Sequence, residues 1–334
     1  MCGSDVEQHD GGFEALGVGY PIIPGHEAVG RIAEIGSSAA RRWGVGVGDR
    51  VAVEAVMGCG HCRACLTGRY SQCRTFKPGT QVNSYGCIPV STEPSLWGGY
   101  SEFMYLDPMS VVHRVDPDLP IELAALYQPI AAGIRWFAHE SGLRLGDTIV
   151  ILGCGQRGLA GVIAAREAGA AQIIVTGLAA DAHKLELART FGADATVVAD
   201  REDVVARVRE LTGGEGADVV VDIAAVAMKP IADAVEIAKP GGTIVFAAIK
   251  GGGRAAEGFI PDRVVTKELT IRGLLSQDTR AVEPALRLIE SRRYPLERMH
   301  THTFGLAEAE LAVQTLAGRA PNEQAIHVMI DPTK

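Results

Sequence analysis

Four cysteines crowded into fifteen residues carry the most specific chemistry in this sequence. They are Cys59, Cys62, Cys65 and Cys73, with the spacing C-x2-C-x2-C-x7-C. Four thiolates at turn-like spacing can close a tetrahedron around one zinc ion and leave no open position, which describes a structural site. The chain has seven cysteines, and an odd number clustered in this way favours a metal site in a reducing compartment over a disulfide framework. His61, inside the cluster, is interpreted as a loop residue.

A glycine-rich turn is the second group with recognisable chemistry. Gly153, Gly155 and Gly158 have G-x-G-x-x-G spacing, after the apolar run 148–152 and before an Ala-rich helical segment. The first glycine permits a tight turn, the second lets a diphosphate approach the backbone, and the third lets the helix pack closely on the strand. Free N–H groups at the helix start would then face the phosphates. Two further candidate cofactor-binding residues of this turn are Gln156 and Arg157.

The elements that position this turn alternate regularly. Strands are predicted at 148–152, 172–176, 195–199, 217–224, 242–249 and 268–274, and helices at 159–168, 181–191, 201–211 and 228–238. Strands that alternate with helices imply a parallel sheet covered on both faces. The sequence therefore predicts an α/β protein with a doubly wound Rossmann domain over residues 129–276, entered through a helical stretch from Ile121 to Phe137.

The cysteine cluster lies in a different kind of sequence. From Cys2 to about His113 the chain is rich in Gly and Pro, with short β-like runs (30–36, 49–56, 100–106 and 110–115) and no convincing amphipathic helix. This texture predicts a compact β domain with long functional loops. Two helices (280–292 and 306–316) and a terminal strand (325–331) are predicted to return to it, so that the first domain comprises residues 1–128 with 277–334.

Composition excludes several classes of partner. The 334 residues are 47% hydrophobic and carry a net charge of −8. An acidic surface attracts neither nucleic acid nor an anionic membrane, and no apolar run is long enough to span a bilayer. The first residues lack the basic and apolar regions of a signal peptide, so a cytoplasmic location is expected.

Several short motifs occur in an order that is typical of one protein family. They are CGSD (2–5), PGHEAVGRIAEIG (24–36), the cysteine tetrad, GDRV (48–51), GGY (98–100) and the nucleotide fingerprint. In this order the chain resembles the zinc-containing medium-chain dehydrogenases, specifically the alcohol, sorbitol and threonine dehydrogenase branch, over essentially its whole length. The resemblance implies a GroES-like β domain beside the Rossmann domain, and hydride transfer between an alcohol and NAD or NADP.

The resemblance also implies a catalytic zinc site. Cys2 and His26 match the first two zinc ligands of the family, and Glu27 matches the neighbouring acid, which is an alternate ligand in relatives. Ser4 matches the hydroxyl that takes the substrate proton. A thiolate and an imidazole can hold zinc while an open position binds the alcohol oxygen and lowers its pKa.

Three features depart from the family pattern. The third ligand position, elsewhere Cys, Asp or Glu, is Gln128, and a neutral amide oxygen is a poor zinc ligand. Either Glu27 completes the site, or water does, or catalytic zinc is weakly held or absent. A relay histidine is replaced by Glu7, and His9 is interpreted as an exposed residue. Relatives also have several strands before CGSD, so Met1 is expected to be an internal methionine or a truncation point, with exposed sheet edges as the consequence.

The choice of nicotinamide cofactor stays open at this level. NAD-specific members place an acid at the end of the second strand to bind the adenosine ribose, and here Gly177 has that position. Asp181 could substitute, but it equally resembles a helix N-cap. His183 and Lys184 follow within a turn, so dual use or NADP specificity is plausible.

The leading hypothesis is an NAD(P)-dependent, zinc-containing alcohol or polyol dehydrogenase that converts a secondary hydroxyl to a ketone. The alternatives are a zinc-independent NAD(P)H reductase of the same fold and a non-catalytic nucleotide-binding homologue. The sequence does not identify the substrate. Pocket residues are expected from 75–97 and near Gln128; Tyr85, Trp97 and Tyr127 are candidates, although ordinary packing is the favoured interpretation of each. The resemblance implies a homodimer or homotetramer, with the strands near 242–275 as a candidate subunit contact.

Overall fold

The chain divides into two compact units. A computed structural model describes residues 1–74, 83–250, 254–321 and 323–334. Unit 1 comprises Met1–Gln128 with Ser276–Lys334, and unit 2 comprises Pro129–Leu275. Among the residues described, none of the helices combines the length and the apolar character needed to cross a lipid bilayer.

Unit 2 is built on a six-stranded parallel sheet. Its strands are β4 (Thr148–Leu152), β5 (Gln172–Gly177), β6 (Ala195–Val198), β7 (Ala217–Asp222), β8 (Ala238–Phe246) and β9 (Thr270–Gly273). Their spatial order is β6-β5-β4-β7-β8-β9, so the direction of winding reverses between β4 and β7. This arrangement confirms the predicted doubly wound sheet, in which a dinucleotide binds at the reversal point, at the carboxyl ends of the strands.

Apolar runs explain why these strands occupy the interior. Val150, Ile174, Val220 and Ile244 are fully buried on neighbouring strands of one core, as expected for β-branched residues in a sheet covered on both faces. The covering helices are α6 (Gln156–Glu167), α7 (Ala182–Thr190), α8 (Val204–Leu211), α9 (Lys229–Ile237) and α10 (Pro261–Thr266). Of these, α10 was not predicted, because its six residues are too few to show a periodic pattern.

Unit 1 contains two small sheets. In the first, β1 (Val29–Arg31), β2 (Arg50–Val53) and β3 (Val112–Arg114) pair antiparallel in that order. In the second, β10 (His300–Gly305) and β11 (His327–Asp331) pair in parallel. The helices are α1 (Gly3–His9), α2 (Ser37–Trp43), α3 (Arg63–Leu66), α4 (Ile121–Ala124), α11 (Thr279–Glu290) and α12 (Ala309–Leu316). A further helix, α5 (Tyr127–Gly133), continues into a π-helical segment, Ile134–His139.

Several predictions in unit 1 were wrong. The stretch 100–106 is not a strand, and helices α1 and α2 occur where no helix was expected. Strand β10 was also missed, because its alternating Thr and His residues resemble a polar loop. The continuous helix predicted from Ile121 to Phe137 is broken before Tyr127; Pro129 has no N–H to donate to the preceding turn, so a new helix starts close to it.

Candidate functional site

The four clustered cysteines converge in the loop around α3. All are free thiols, and the Sγ atom of Cys62 lies 3.5 Å from that of Cys65 and 3.8 Å from that of Cys73, while the Sγ of Cys59 lies 3.9 Å from that of Cys65. Zinc–sulfur bonds of about 2.3 Å in a tetrahedron require sulfurs about 3.8 Å apart. The arrangement therefore has the dimensions of a zinc site with four thiolate ligands. His61 is exposed and contacts the backbone oxygen of Cys59 through Nδ1 at 2.8 Å, so it stands outside the four thiols.

A buried polar network fixes this loop to the rest of unit 1. The hydroxyl of Tyr70, three residues before Cys73, donates to the carboxylate of Glu54 and accepts from the backbone N–H of Thr279 at 2.8 Å. Glu54 also contacts Nε2 of His113 at 2.8 Å and the hydroxyl of Thr279 at 2.7 Å. Burial, followed by the Glu54 charge, raises the pKa of Tyr70, which keeps its hydroxyl protonated as a donor.

Among the described residues, a second group of metal-binding side chains combines Cys2, Asp5 and His26, whose ligand atoms lie within 4.8 Å of one another. The Sγ of Cys2 lies 3.3 Å from Nε2 of His26, and Oδ1 of Asp5 lies 3.4 Å from Nδ1 of the same ring. Cys2 caps α1, and Asp5 accepts the Cys2 backbone N–H at 2.7 Å. The start of one short helix thus holds both residues against His26.

Charges in this group reinforce one another. Burial by itself lowers the pKa of His26, but the Asp5 carboxylate and Cys2 outweigh it and hold that pKa well above its ordinary value. Burial likewise opposes ionisation of Asp5, yet the imidazole of His26 keeps the pKa of the carboxyl below its usual range. A metal ion at Nε2 takes the place of the ring proton there, because a ligand histidine is neutral. Asp5 at Nδ1 then fixes the tautomer that leaves Nε2 free.

The remaining predicted members of the site lie around this group. Gln128 is 1% exposed, and its amide nitrogen donates to the backbone oxygen of His26 at 2.8 Å. Its Oε1 is buried and accepts no hydrogen bond from the described residues, an orphaned acceptor that fits a cation or a donor. Glu27 lies outside the group of three; its Oε2 is 3.2 Å from the amino group of Met1. Ser4 is partly exposed in the first turn of α1.

In unit 2 the glycine turn has the backbone that a dinucleotide requires. Gly153 has a φ of 115°, a region that side chains disfavour. A Cβ on Gly158 would collide with the backbone oxygen of Gly153, whereas among the described residues no atom lies within 4 Å of a Cβ built on Gly155. Gly155 is the N-cap of the twelve-residue helix α6. An open backbone at a helix N-terminus fits a diphosphate.

The side chains around the turn are arranged as follows. Gln156 is buried in the first turn of α6, and the guanidinium of Arg157 lies 5.2 Å from the ring centroid of Trp136, a cation–π distance. Gly177 is the last residue of β5, and a Cβ there would be 2.5 Å from Sγ of Cys154. Nζ of Lys184 pairs with Asp181 at 2.8 Å.

Comparisons with known proteins identify the family of this chain. Residues 1–117 match the model of the alcohol dehydrogenase GroES-like domain, and residues 158–291 match that of zinc-binding dehydrogenases. A protein named "Probable alcohol dehydrogenase adh" from Mycobacterium tuberculosis is 45% identical over 99% of this chain and 89% of its own length. The chain belongs to the zinc-containing medium-chain dehydrogenases. It is an NAD(P)-dependent oxidoreductase of the alcohol and polyol dehydrogenase type, as the resemblance had predicted.

Solved structures place this medium-chain dehydrogenase among enzymes of the same fold. An alcohol dehydrogenase from Thermotoga maritima is 27% identical with a TM-score of 0.81, covering 99% of this chain and 89% of that one. A protein assigned as a zinc-binding dehydrogenase from Sinorhizobium meliloti 1021, solved with NADP bound, is 26% identical with the same TM-score and the same coverage.

Three aromatic residues that were candidates for the substrate pocket, with ordinary packing as the favoured interpretation, are packed into unit 1. Tyr85, Trp97 and Tyr127 are each at most 3% exposed. The Tyr127 hydroxyl donates to the backbone oxygen of Val53 at 2.6 Å, and that of Tyr85 contacts the hydroxyl of Ser110 at 2.5 Å. These satisfied hydroxyls have structural roles. Of the segment 75–97, residues 75–82 lie outside the described residues.

A cavity of about 1040 Å³ in unit 1 reaches the other face of this group. Its lining includes Asp5, His26 and Glu27 together with apolar residues along β1. Strand β1 lies at the edge of its sheet, where β2 is its one partner among the described strands.

Sequence reasoning missed two members of these sites. Asp5 belongs to the quoted CGSD motif, and its i, i+3 relation to Cys2 across a helix start was the available signal. Cys154 sits inside the glycine fingerprint, but its contact with Gly177 joins two strands and has no local signature. His9 pairs with Glu310 at 2.9 Å on the surface, away from the metal-binding group.

Proposed function

We propose that this dehydrogenase oxidises a secondary hydroxyl of a small polyol to a ketone, and catalyses the reverse reaction, at the site formed by Cys2, Asp5 and His26. The observation that carries the proposal is the convergence of a thiol, a carboxylate and an imidazole within 4.8 Å. The nature of the substrate is supported by relatives named for polyols, among them an erythritol/L-threitol dehydrogenase from Mycolicibacterium smegmatis that is 28% identical over 99% of this chain and 89% of its own length.

Cys2 and His26 would hold the catalytic zinc through Sγ and Nε2. Asp5 would act on His26 alone, because its Oδ1 faces Nδ1 of the ring and a carboxylate there orients the imidazole and raises its basicity. A zinc ion held there would supply a Lewis acid for the substrate oxygen, and a bound nicotinamide would supply the hydride acceptor. Ser4, in the first turn of α1, would relay the substrate proton: its Oγ would accept that proton while its own hydroxyl proton passes to solvent.

Gln128 would complete the first shell or hold a water there. Its amide nitrogen is committed to the backbone of His26, so the orphaned Oε1 is the atom available to the ion. A neutral oxygen donates less charge than a carboxylate, and the site would hold zinc less tightly than a site with three anionic or imidazole ligands. Glu27 is proposed as an alternate zinc ligand, the role that the matching acid has in relatives.

Either nicotinamide cofactor would bind across the glycine turn, with NADP favoured. Gly177 supplies no carboxylate to repel a 2′-phosphate, and Lys184, whose ammonium pairs with Asp181, lies in the first turn of α7. The relative solved with NADP supports the same preference. Gly153, Gly155 and Gly158 would form the diphosphate site together with the N–H groups of Gln156 and Arg157.

A homo-oligomer and a cytoplasmic location complete the proposal. β9 is an edge strand of the large sheet, all four of its residues are exposed, and Leu275 just after it is 60% exposed. An exposed sheet edge of this kind can pair with a second copy of the chain. The reduced thiols of the tetrad and of Cys87 and Cys154 suit a reducing compartment.

The test is a panel of alcohols and polyols assayed with NAD and with NADP by the appearance of reduced cofactor. We expect turnover of at least one polyol that has a secondary hydroxyl, and little turnover of simple primary alcohols. Reduction of an enone or a quinone without any polyol oxidation would favour the zinc-independent reductase, and no turnover with bound cofactor would favour a non-catalytic homologue.

A further inference from the structure

The residues that follow β7 contain a buried ion pair that neither the zinc sites nor the glycine fingerprint uses. Asp222, the last residue of β7, is fully buried. Nζ of Lys250, four residues beyond β8, lies 3.0 Å from its Oδ1 and 2.9 Å from its Oδ2. The same ammonium donates to the backbone oxygen of Ala224. Lys250 therefore joins the loops that follow two neighbouring strands.

This pair lies against the glycine turn. A Cβ on Gly153 would meet the backbone nitrogen of Ala224 at 3.2 Å, and one on Gly158 would meet the side chain of Ile223 at 3.2 Å. The backbone N–H of Ala224 also donates to Oδ1 of Asp222 at 3.0 Å. The position of Ala224, which lies against Gly153, is thus fixed by Asp222 on one side and by Lys250 on the other.

A second cation, Arg254, also binds a backbone oxygen of the residues that follow β7. Nη2 of Arg254 donates to the backbone oxygens of Val226 at 2.7 Å and of Lys250 at 3.0 Å. Val226 has a φ of 62° and is 66% exposed, an uncommon backbone for a β-branched residue. Strained residues of this kind concentrate where the surrounding structure serves a ligand. The loop after β7 is therefore held in an unfavourable and exposed conformation by two cations.

The sheet topology indicates which part of the cofactor this loop serves. Winding reverses between β4 and β7, so the two halves of a dinucleotide lie on opposite sides of that point. Gly177, on β5, belongs to the adenosine side. The ends of β7 and β8, with Asp222 and Lys250, belong to the nicotinamide side.

We propose that the Lys250–Asp222 pair is a positioning device for the nicotinamide half of the cofactor. By pinning Ala224, it holds the wall of the nicotinamide side against the glycine turn. The adenosine half, bound across β5, does not depend on it. The proposal rests on NAD(P) binding at this sheet.

The experiment compares a whole cofactor with its adenosine half. Dissociation constants of NADPH and of 2′,5′-ADP, with NADH and ADP as a second pair, are measured on the full-length protein. The variants are Lys250→Met and the double variant Asp222→Asn with Lys250→Met, which leaves no unpaired buried charge. Lys229→Met is the matched control, because Lys229 forms a surface pair with Asp233 at 2.6 Å in the same unit.

For both test variants we expect the dissociation constant of the reduced dinucleotide to rise about tenfold while that of the adenosine half changes less than about twofold. The control should match the wild type for both ligands. Equal weakening of both ligands, or no weakening of the dinucleotide, would overturn the proposal for Lys250. A wild-type protein that binds the adenosine half but no dinucleotide would overturn the cofactor assignment as well.

Discussion

The sulfur of Cys154 occupies the space that a side chain on Gly177 would need. A Cβ built on Gly177 would lie 2.5 Å from that Sγ and 3.0 Å from the side chain of Leu185. Cys154 is itself buried, and burial raises the pKa of its thiol to about 12, so it is a neutral packing group. The missing acid at the end of β5 therefore has a steric cause inside the nucleotide fingerprint.

An acidic side chain at position 177 should bind the adenosine ribose only when Cys154 is replaced by a smaller residue. Gly177→Asp alone is expected to lower stability by about 1–3 kcal/mol, the ordinary cost of overpacking, and to weaken both cofactors. Gly177→Asp combined with Cys154→Ala should restore stability and shift the NAD to NADP ratio of kcat/KM toward NAD by at least about tenfold, because a carboxylate binds the ribose hydroxyls and repels a 2′-phosphate.

Cys154→Ala alone is the control for this pair, and its cofactor ratio should stay that of the wild type. If Gly177→Asp is as stable as the double variant, the steric explanation is wrong. Urea unfolding midpoints and steady-state kinetics with both cofactors provide the two measurements.

The cysteine tetrad should govern stability rather than turnover. Replacing one ligand, Cys62→Ser, opens the tetrahedron, and a loop with little apolar content loses the free energy that metal binding contributes. We expect about one zinc ion less per chain and a fall of at least about 5 °C in the midpoint of thermal unfolding. His61→Ala is the matched control in the same loop, and a loss of zinc in that variant would show that His61 is a ligand.

The sequence predicted features whose residues lie close together along the chain, and missed those that depend on contacts between distant residues. The parallel sheet was predictable because each strand carries its own apolar run, and the tetrad because its ligands lie within fifteen residues. Helix α1 was missed because its seven residues bury Asp5 and Gln8 rather than an apolar stripe. Such a helix is stabilised by its contacts, which no local periodicity records.

The same reasoning explains why the contacts of Asp5 and of Lys250 were not predicted, and why the aromatic residues could not be placed from the sequence. Asp5 acts on a ring twenty-one positions away in the chain, and Lys250 pairs with Asp222 across two strands. Both contacts form only after the sheets and loops have packed. Tyr85 and Trp97 belong to a common core of unit 1. An aromatic residue can pack in a core or line a pocket, and the residue type alone does not tell which.

Asp5 should influence catalysis through His26. Asp5→Asn keeps the size of the side chain but removes the charge that orients and polarises the ring, a change that typically costs about 10–100-fold in metal affinity or activity. We therefore expect kcat/KM to fall by about that factor and to recover in part when zinc is added. Asp10→Asn, on the surface near the end of the same helix and paired with Arg319, is the control. Activity of the Asp5 variant equal to wild type would contradict the role.

Two histidines of unit 1 should make stability depend on pH. Nδ1 of His300 lies 3.0 Å from Nδ1 of His327, so one ring must donate and the other accept, and both are neutral. Burial lowers the pKa of both rings, most strongly that of His327. The amino group of Met1 and the ring of His300 lower the pKa of His327 further. Around His300 lie Glu122, which opposes this effect, and His302 and Lys334, which add to it.

Because the folded pKa of each ring lies below the unfolded value of about 6.5, unfolded chains take up protons first as pH falls. The stability contributed by the pair is therefore complete above about pH 6.5 and is lost below it. Urea midpoints between about pH 5 and 8 should fall on the acid side in the wild type and less so in His327→Gln. The same slope in both proteins would contradict the assignment, and His302→Gln is the comparison variant.

The central claim is that Cys2 and His26, with Asp5 orienting the imidazole, hold a second zinc ion that serves the oxidation of an alcohol. The most direct measurement is zinc content per chain, taken in parallel with turnover, for the wild type and for Cys2→Ala. We predict about two zinc ions and polyol-dependent reduction of NAD(P) in the wild type, and about one zinc ion with at least about a hundredfold loss of turnover in Cys2→Ala, since the tetrad stays filled. Equal zinc content and equal turnover in the two proteins would contradict the account.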